Sequence, residues 1–287
     1  MDVLPDFFVS AATDEVDAWS TRRLPFEPRG SMLEFRAALR AALTGLRTSR
    51  GSLRSEYLSQ SEDFCDAENV LLYNVGMASF SRLATASLTF ERGRTAPPPC
   101  PRQLSAQPLH YHRYETSHEE SFRHWHVDGI VASGDATIAR RGLDKAAHWW
   151  WTARSGAREI AGSLAAGEPF GLRVTVAGAS RPLVSMLKPM LDGVIASLHN
   201  ARSSSDETVK RLGDALRVDP DALRQGLEAG PSLLGERDVV RSYRSGVQWN
   251  PADDLCVACT IEVSGEGDNP ELHWELLRVS ALGSTAR

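Results

Sequence analysis

The sequence contains few cysteines and no long apolar run, and its first residues lack the marks of a secretion signal. Four cysteines among 287 residues are too few for a disulfide framework. The longest apolar stretches, such as Val70–Tyr73 and Trp149–Trp151, are far too short to cross a bilayer. Asp2 and Asp6 stand where a secretion signal would carry positive charge, so we expect a cytoplasmic protein that does not enter a membrane.

A large excess of either charge is also absent. The formal net charge of −5 and the isoelectric point near 5.9 argue against broad binding of duplex nucleic acid, although they are compatible with a local basic patch. The sequence has no phosphate-binding loop, dinucleotide-binding glycine pattern or nucleophile elbow. With 42% hydrophobic and 24% charged residues, the composition is that of a chain with its own hydrophobic core.

One pair of cysteines has the spacing of a redox or zinc motif. Cys256 and Cys259 lie within Leu255–Val263, which has the composition of a strand. Because residues three apart on a strand point to opposite faces, we expect the two thiols to diverge and to be buried as structural residues. A single pair also falls short of the four ligands of a structural zinc site.

The hydrophobic pattern predicts an α+β fold, with a mixed sheet covered by helices. A first helix should begin at Ser31, where Ser31 and Glu34 match a capping box. The other predicted helices are Gly142–Leu164, Leu183–His199 and a helical insertion near 206–229 that comprises Asp206–Arg217 and Asp221–Ala229. The predicted strands are Val70–Val75, Ala86–Glu91, Gly171–Ala177 and an antiparallel terminal pair, Leu255–Val263 and Glu271–Val279.

A proline-rich segment is the strongest candidate for a domain boundary. Arg94–Pro101 has four prolines in five residues, so it is stiff, extended and unsuited to the interior of a sheet. It separates a helix-plus-strand region over residues 1–95 from an α+β domain over residues 102–287, which carries the insertion. We expect these regions either to form separate domains or to pack as one unit.

Histidine is concentrated in one part of the chain, since six of the eight histidines lie between positions 110 and 148. Two pairs have a spacing of two, which places both imidazoles of a pair on one face of a strand. Neutral imidazoles bind zinc, iron or manganese, and a neighbouring carboxylate serves as a ligand or orients an imidazole. We therefore predict a divalent-metal site formed by His110, His112, His124, His126 and Asp128.

The same segment has a second interpretation. Its charged residues, which include Arg113, Glu115 and Arg123, are compatible with a solvated loop in which acidic and basic side chains pair. An iron site with two histidines and one carboxylate, starting from His126 and Asp128, would need a third ligand from elsewhere. The candidates for that ligand are His148, His199 and His273.

A set of charged residues in the C-terminal half carries a family resemblance. Lys188 and Asp192 are four residues apart on a predicted helix, and Asp253 and Asp254 stand at the entrance to a strand. In order and spacing, the segment from residue 142 to residue 263 resembles the RusA-type Holliday-junction resolvase family. The resemblance implies a nuclease-like scaffold on which clustered carboxylates hold the divalent metal for phosphodiester cleavage.

The sequence departs from that family at the metal-binding acids. Pro182-Leu-Val-Ser185 stands where the family has an Asp-x-Asp-Asn pattern, so two carboxylates are missing. Asp66-Ala-Glu68-Asn69 has a similar pattern far away in the sequence. The residues that remain form a degraded acidic site, comprising Lys188, Asp192, Asp253 and Asp254. We therefore expect no cleavage of a Holliday junction.

Two other segments suggest contacts with a partner. Val209–Ala229 resembles the first two helices of a helix-turn-helix unit, but its second helix offers only Arg224 and Gln225 for reading DNA, which favours a plain surface hairpin. Trp149, Trp150 and Trp151 sweep about 200° around a helix, so they cannot all share one face. Because tryptophan is enriched at interface hot spots, these three residues are a candidate interface.

Two classes of function remain open from the sequence. In the first, the protein is a non-catalytic or accessory binding module on a nuclease-like scaffold, and it recognises a protein or nucleic-acid partner. In the second, it is a metal-dependent enzyme, a hydrolase or an oxygenase, that uses the cluster between His110 and Asp128. The missing acidic residues favour the first class, and the density of histidine favours the second.

Overall fold

The computed structural model describes residues 4–48, 50–60, 65–117, 119, 121–138, 142–178, 181–202, 204–229, 232–265 and 270–282. Its helices and strands follow one another irregularly, which confirms the predicted α+β class. The chain forms two compact units: the first comprises Met1–Val127, Cys256–Glu262 and Val279–Arg287, and the second comprises Asp128–Leu255 and Val263–Arg278. Within the described ranges, no helix is long and apolar enough to span a membrane.

The regular elements are numbered along the chain. The strands are β1 (Phe7–Ala11), β2 (Glu15–Ser20), β3 (Ser52–Ser59), β4 (Ser87–Gly93), β5 (His110–Glu115), β6 (Trp125–Thr137), β7 (Ala157–Ile160), β8 (Phe170–Ala177), β9 (Asn200–Ala201), β10 (Glu236–Arg237), β11 (Val240–Tyr243), β12 (Gly246–Trp249), β13 (Cys256–Ser264) and β14 (Glu271–Ala281). The α-helices are α1 (Ser31–Gly45), α2 (Ala146–Ser155), α3 (Leu183–Ser197), α4 (Asp206–Leu216) and α5 (Pro220–Glu228). A π-helix spans Asn69–Tyr73, and two 3₁₀ turns span Met77–Phe80 and Asp253–Leu255.

The first unit is built on a mixed sheet with the strand order β1-β2-β5-β3-β4-β13. β3 and β4 are parallel, and the other neighbours in this order are antiparallel. Because successive side chains of a strand point to opposite faces, Arg54 and Glu56 of β3 share one face and Tyr57 lies on the other. The register sets Glu56 directly beside Glu91 of β4.

α1 is amphipathic, as its apolar spacing predicts, and its buried residues are Met32, Phe35, Leu39 and Leu43. Its predicted capping box is wrong, because the helix is capped by Gly30 and no side chain bonds the first turn. The Ser31 hydroxyl instead donates to Asp6 at 2.6 Å and accepts from Arg22 at 2.7 Å. Ser31 therefore bonds Asp6, which is distant in the sequence, instead of capping its own helix.

The strand predicted at Val70–Val75 is also wrong, since this segment lies mostly in the π-helix. The Asp66 carboxylate accepts hydrogen bonds from the backbone N–H of Asn69 at 3.3 Å and from its side-chain amide at 2.6 Å, which starts a helical turn. Three consecutive apolar residues follow and are buried. A short run of this kind does not distinguish a strand from a buried helix.

The proline-rich segment lies inside the first unit, which continues to Val127. The compact units therefore do not separate at Arg94–Pro101. The expected antiparallel pairing of the last two strands is also absent: β13 pairs with β4, and β14 pairs with β8. Nearness in the sequence favours a hairpin, but register and burial decide which strands bond.

The second unit contains strands in the order β8-β14-β6-β7. Its predicted helix over Gly142–Leu164 is too long, because α2 ends at Ser155 and β7 follows. At Gly156 a Cβ would lie 2.4 Å from the carbonyl oxygen of Asp135, so only glycine permits the close approach to β6. The residues after Gly156 therefore pair with β6 as strand β7 instead of continuing the helix.

The helical insertion near 206–229 is confirmed as α4 and α5. Both helices start at side-chain caps: the Ser205 hydroxyl accepts from the N–H of Thr208 at 3.2 Å, and the Asp219 carboxylate accepts from the N–H of Asp221 at 3.0 Å. The hairpin and its neighbours share an apolar cluster that includes Leu212, Leu223 and Leu227. The local signals were therefore sufficient to predict this element.

Candidate metal centre

Three side chains that can ligate a metal converge on the charged face of the sheet in the first unit. Glu56 comes from β3, Glu91 from β4, and His124 from the residue just before β6. One ligand atom of each lies within 4.8 Å of the other two, and the described residues contain no other such group. The parallel register of β3 and β4 places the two carboxylates side by side.

Glu91 anchors the chain segment that carries His124. Its side chain is fully buried. The backbone N–H of Arg123 donates to both carboxylate oxygens at 3.0 Å, and the backbone N–H of His124 donates to Oε2 at 2.8 Å. These bonds fix the segment over the sheet and orient the carboxylate, as outer-shell contacts do in metal sites.

Glu56 is paired directly with His124. Its Oε2 lies 3.0 Å from Nε2 of the imidazole, and its Oε1 accepts from Arg123 at 2.7 Å and from Nε of Arg54 at 3.3 Å. Burial alone would raise the pKa of Glu56, but the His124 hydrogen bond and the charge of Arg123 outweigh burial and lower it. Glu56 is therefore an anion at neutral pH, although its side chain is 7% exposed.

Two arginines cross-link the carboxylates of this cluster. Arg54 is 1% exposed and bonds Glu56 and Glu91. Arg123 is one-third exposed and bonds Glu56, Glu115 and Glu119, the last at 3.1 Å. The expected pairing of acidic and basic side chains in this segment is therefore present, but on a sheet face rather than in a solvated loop.

The charges of this cluster do not balance. Four carboxylates, those of Glu56, Glu91, Glu115 and Glu119, meet three guanidinium groups, since Arg113 also bonds Glu115 at 3.1 Å. Leaving His124 aside, these side chains carry one negative charge in excess. Because uncompensated charge is costly in a low-dielectric site, a divalent cation would relieve this excess.

Two neighbours position the imidazole. Gly93 leaves room for it, since a Cβ there would lie 3.0 Å from Cγ of His124. Trp125 is buried, and its indole N–H donates to the carbonyl oxygen of Arg92 at 2.8 Å, which ties the start of β6 to β4. His124 is 19% exposed, so one side of the cluster is open to a small ligand.

The structure does not bring the predicted histidine ligands together. His110 and His112 share one face of β5, as their spacing implies, but they contact Tyr57 on the opposite face of β3 from Glu56. His126 and Asp128 are exposed on β6. His124 and His126 do not share one face of a strand as their spacing predicts, because β6 begins at Trp125 and His124 lies before it. His118 lies outside the described residues.

His112 occupies an apolar environment. It is completely buried against Phe35, and its Nε2 has no hydrogen-bond partner among the described residues. Burial, followed by the charge of His110, lowers the pKa of His112 to about 3. The imidazole is therefore neutral at physiological pH and serves as a core side chain.

The three histidines considered as third iron ligands lie in the second unit. The Nδ1 of His199 is 3.0 Å from the carbonyl oxygen of Gly235, and Nδ1 of His273 is 2.8 Å from the Asp135 carboxylate. His148 lies in α2. None of them belongs to the ligand group found among the described residues.

Three of the four residues of the degraded acidic site meet in the second unit. The Lys188 ammonium lies 3.0 Å from Asp192 and 3.1 Å from Asp253, whereas Asp254 lies 3.8 Å from Arg237. Burial raises the pKa of Asp192, and Lys188 opposes this effect. Lys188 is therefore paired with both Asp192 and Asp253. The four residues of this site do not form a metal-ligand group. The similar Asp66–Asn69 segment belongs to the first unit.

Two of the three tryptophans proposed as an interface are buried. Trp149 and Trp150 are each 1% exposed and form part of the interior of the second unit, so they cannot contact a partner. Trp151 is partly buried against the α4–α5 cluster.

The two C-terminal thiols are both buried, as expected. Their expected divergence is wrong, since burial and a hydrogen bond with Cys256 raise the pKa of Cys259. Cys256 opens β13, where the alternation of faces is not yet established.

Sequence reasoning missed Glu56, Glu91 and Arg54. Arg54 and Glu56 alternate with apolar or small residues in β3, which is the pattern of a strand with one solvated face. Glu91 follows Phe90 and is followed directly by Arg92 in β4. The only sequence signal was four charged residues within two short strands. No family model matches this chain, and no curated protein matches it either.

Proposed function

We propose that the first unit holds a divalent-metal centre with hydrolytic chemistry, in which Glu56, Glu91 and His124 are the protein ligands. The observation that carries this proposal is the convergence of three ligand atoms within 4.8 Å in a buried cluster with excess negative charge. One imidazole and two carboxylates suit zinc, manganese or iron.

Three protein ligands leave room for water in the coordination shell, which is the arrangement of catalytic rather than structural metal sites. A cation held by these three residues would lower the pKa of that water and so supply a nucleophile at neutral pH. Metal-assisted hydrolysis of a phosphate or carboxylate ester is the reaction class that follows.

The test is hydrolysis of bis(p-nitrophenyl) phosphate and p-nitrophenyl acetate by the intact protein with zinc, manganese or magnesium. We expect metal-dependent release of nitrophenol that falls at least 100-fold in Glu56→Gln. Glu119→Gln is the matched control, because Glu119 is half-exposed and is not among the proposed ligands. No metal-dependent turnover, or equal losses in both variants, would overturn the hydrolytic function.

A second candidate is an accessory module on a nuclease-like scaffold, and it is supported by the Lys188 cluster with Asp192 and Asp253. In this case the second unit binds branched nucleic acid without cleaving it, because the two missing carboxylates leave no metal site. A labelled four-way junction should be retarded in a gel and stay intact in magnesium or manganese. Nicking that disappears in Asp254→Asn would contradict this candidate.

A further inference from the structure

A second feature of the first unit is a cavity of about 520 Å³ between the segment after β2 and the π-helix. Its lining includes Arg23, Phe26, Cys65, Asn69 and Tyr73. None of these residues belongs to the candidate metal centre. The cavity is large enough for a mononucleotide-sized ligand.

Two aromatic rings form the rim of this cavity. Phe26 is 58% exposed and Tyr73 is 41% exposed. Their rings are nearly parallel, with an interplanar angle of 9° and centroids 5.4 Å apart. Exposed rings held in a stack offer a flat face to a further planar ring, as aromatic platforms for nucleobases do.

One cationic side chain lines the cavity, and a second lies behind a lining residue. Arg23 lines it and makes no ion pair or hydrogen bond with the described residues. Arg92 lies behind Cys65, donating to its carbonyl oxygen at 2.7 Å; its Nε has no partner within the described part of the chain, although the residue is 6% exposed.

The backbone at this cavity is also unusual. A π-helix contributes Asn69 and Tyr73 to the lining. Such turns are rare in proteins as a whole, but they often occur at functional sites. Asp66 is the one acidic residue among the described residues of the lining, and its carboxylate accepts two hydrogen bonds from Asn69. The π-helix therefore holds the acidic group at the start of the turn and places the Tyr73 ring on Phe26.

We infer that this cavity binds a nucleotide, with the base stacked on the Phe26–Tyr73 pair and the phosphate on Arg23. A guanidinium without a partner among the described residues can recognise phosphate through charge-assisted hydrogen bonds, and a stacked aromatic pair accepts any base. A free nucleotide and a nucleotide of a single strand present the same chemistry to this site.

The experiment is isothermal titration of the intact protein with adenosine monophosphate, adenosine, inorganic phosphate and a 15-nucleotide oligothymidylate. We expect the monophosphate to bind at least 10-fold more tightly than adenosine or phosphate alone. Tighter binding of the oligonucleotide assigns the site to a strand, and equal or weaker binding assigns it to free nucleotides. Absence of binding by both nucleotide probes up to millimolar concentration overturns the inference.

Variants with matched controls separate this site from general charge and surface effects. Arg23→Gln should weaken monophosphate binding at least 10-fold, whereas Arg22→Gln should not, because Arg22 is paired with Asp6. Tyr73→Ala should weaken binding about 5- to 100-fold, the range for loss of one stacked base. The control is Tyr243→Ala, which removes a similarly exposed tyrosine of the second unit. Equal effects within either pair would contradict the inference.

Discussion

Glu56 and His124 are joined by a contact of 3.0 Å between Oε2 and Nε2, although 68 residues separate them in the sequence. The contact exists because Glu91 holds the backbone of Arg123 and His124 over the sheet. A buried carboxylate is therefore paired with an imidazole that keeps some access to solvent. This relationship is the centre of the proposed metal site.

The first prediction concerns Glu91 as the anchor of this arrangement. In Glu91→Gln a neutral amide replaces the carboxylate, and its NH2 group would face the backbone N–H donors of Arg123 and His124. The buried Arg54 also loses one of its two buried carboxylate partners and keeps only Glu56. We expect the free energy of unfolding to fall by about 3–5 kcal/mol. Urea denaturation followed by circular dichroism measures this loss.

The control is Glu119→Gln, whose half-exposed ion pairs should contribute about 1 kcal/mol or less. Similar losses in the two variants would contradict the anchoring role of Glu91.

The second prediction concerns the space beside the imidazole. In Gly93→Ala the new methyl group would lie 2.6 Å from Cδ2 of Leu58 and 3.0 Å from Cγ of His124. We expect a loss of about 1–3 kcal/mol in the free energy of unfolding, since overpacking displaces both neighbours. Gly162→Ala is the control, because nothing lies within 4 Å of a Cβ there. A stability of Gly93→Ala equal to that of the wild type would show that His124 is not confined at this position.

The third prediction is a pH dependence from His112. Its pKa falls from 6.5 to about 3 on folding, so the unfolded chain binds a proton that the folded chain does not. This contribution to stability is present above pH 6.5 and is lost as the pH falls towards 3. Between pH 6.5 and pH 5 the loss from this group should be about 1.5 kcal/mol.

Chemical denaturation of the wild type and His112→Gln at several pH values tests this account of His112. The variant should lose less stability than the wild type over the same interval, whatever its stability at neutral pH. Parallel pH profiles for the two proteins would show that His112 is not buried in its neutral form.

Local elements of this fold could be predicted from the sequence. α1 and the α4–α5 hairpin follow from apolar spacing at three and four residues, and Asp219 with Pro220 marks a helix start. The exceptions arise where a distant contact competes with a local signal. Ser31 bonds Asp6 instead of capping α1, and pairing with β6 turns the chain after Ser155 into β7.

The candidate site could be predicted only in part. His124 stood out because histidine is concentrated near it, but its partners come from β3 and β4, and β3 has the alternating pattern of an ordinary half-exposed strand. Glu56 and Glu91 are buried only because the chain before β6 covers that face of the sheet. Spacing within one segment cannot show such a covering, which depends on contacts between residues far apart in the sequence.

The most direct test of the metal centre is the metal content of purified protein, compared for the wild type, His124→Ala and His126→Ala. The two histidines are neighbours in the sequence, but only His124 contacts the carboxylate cluster, whereas His126 is exposed. After incubation with zinc or manganese and gel filtration, elemental analysis should find about one ion per chain in the wild type and in His126→Ala. It should find almost none in His124→Ala. A wild type without metal, or the same metal content in all three proteins, would contradict the proposed centre.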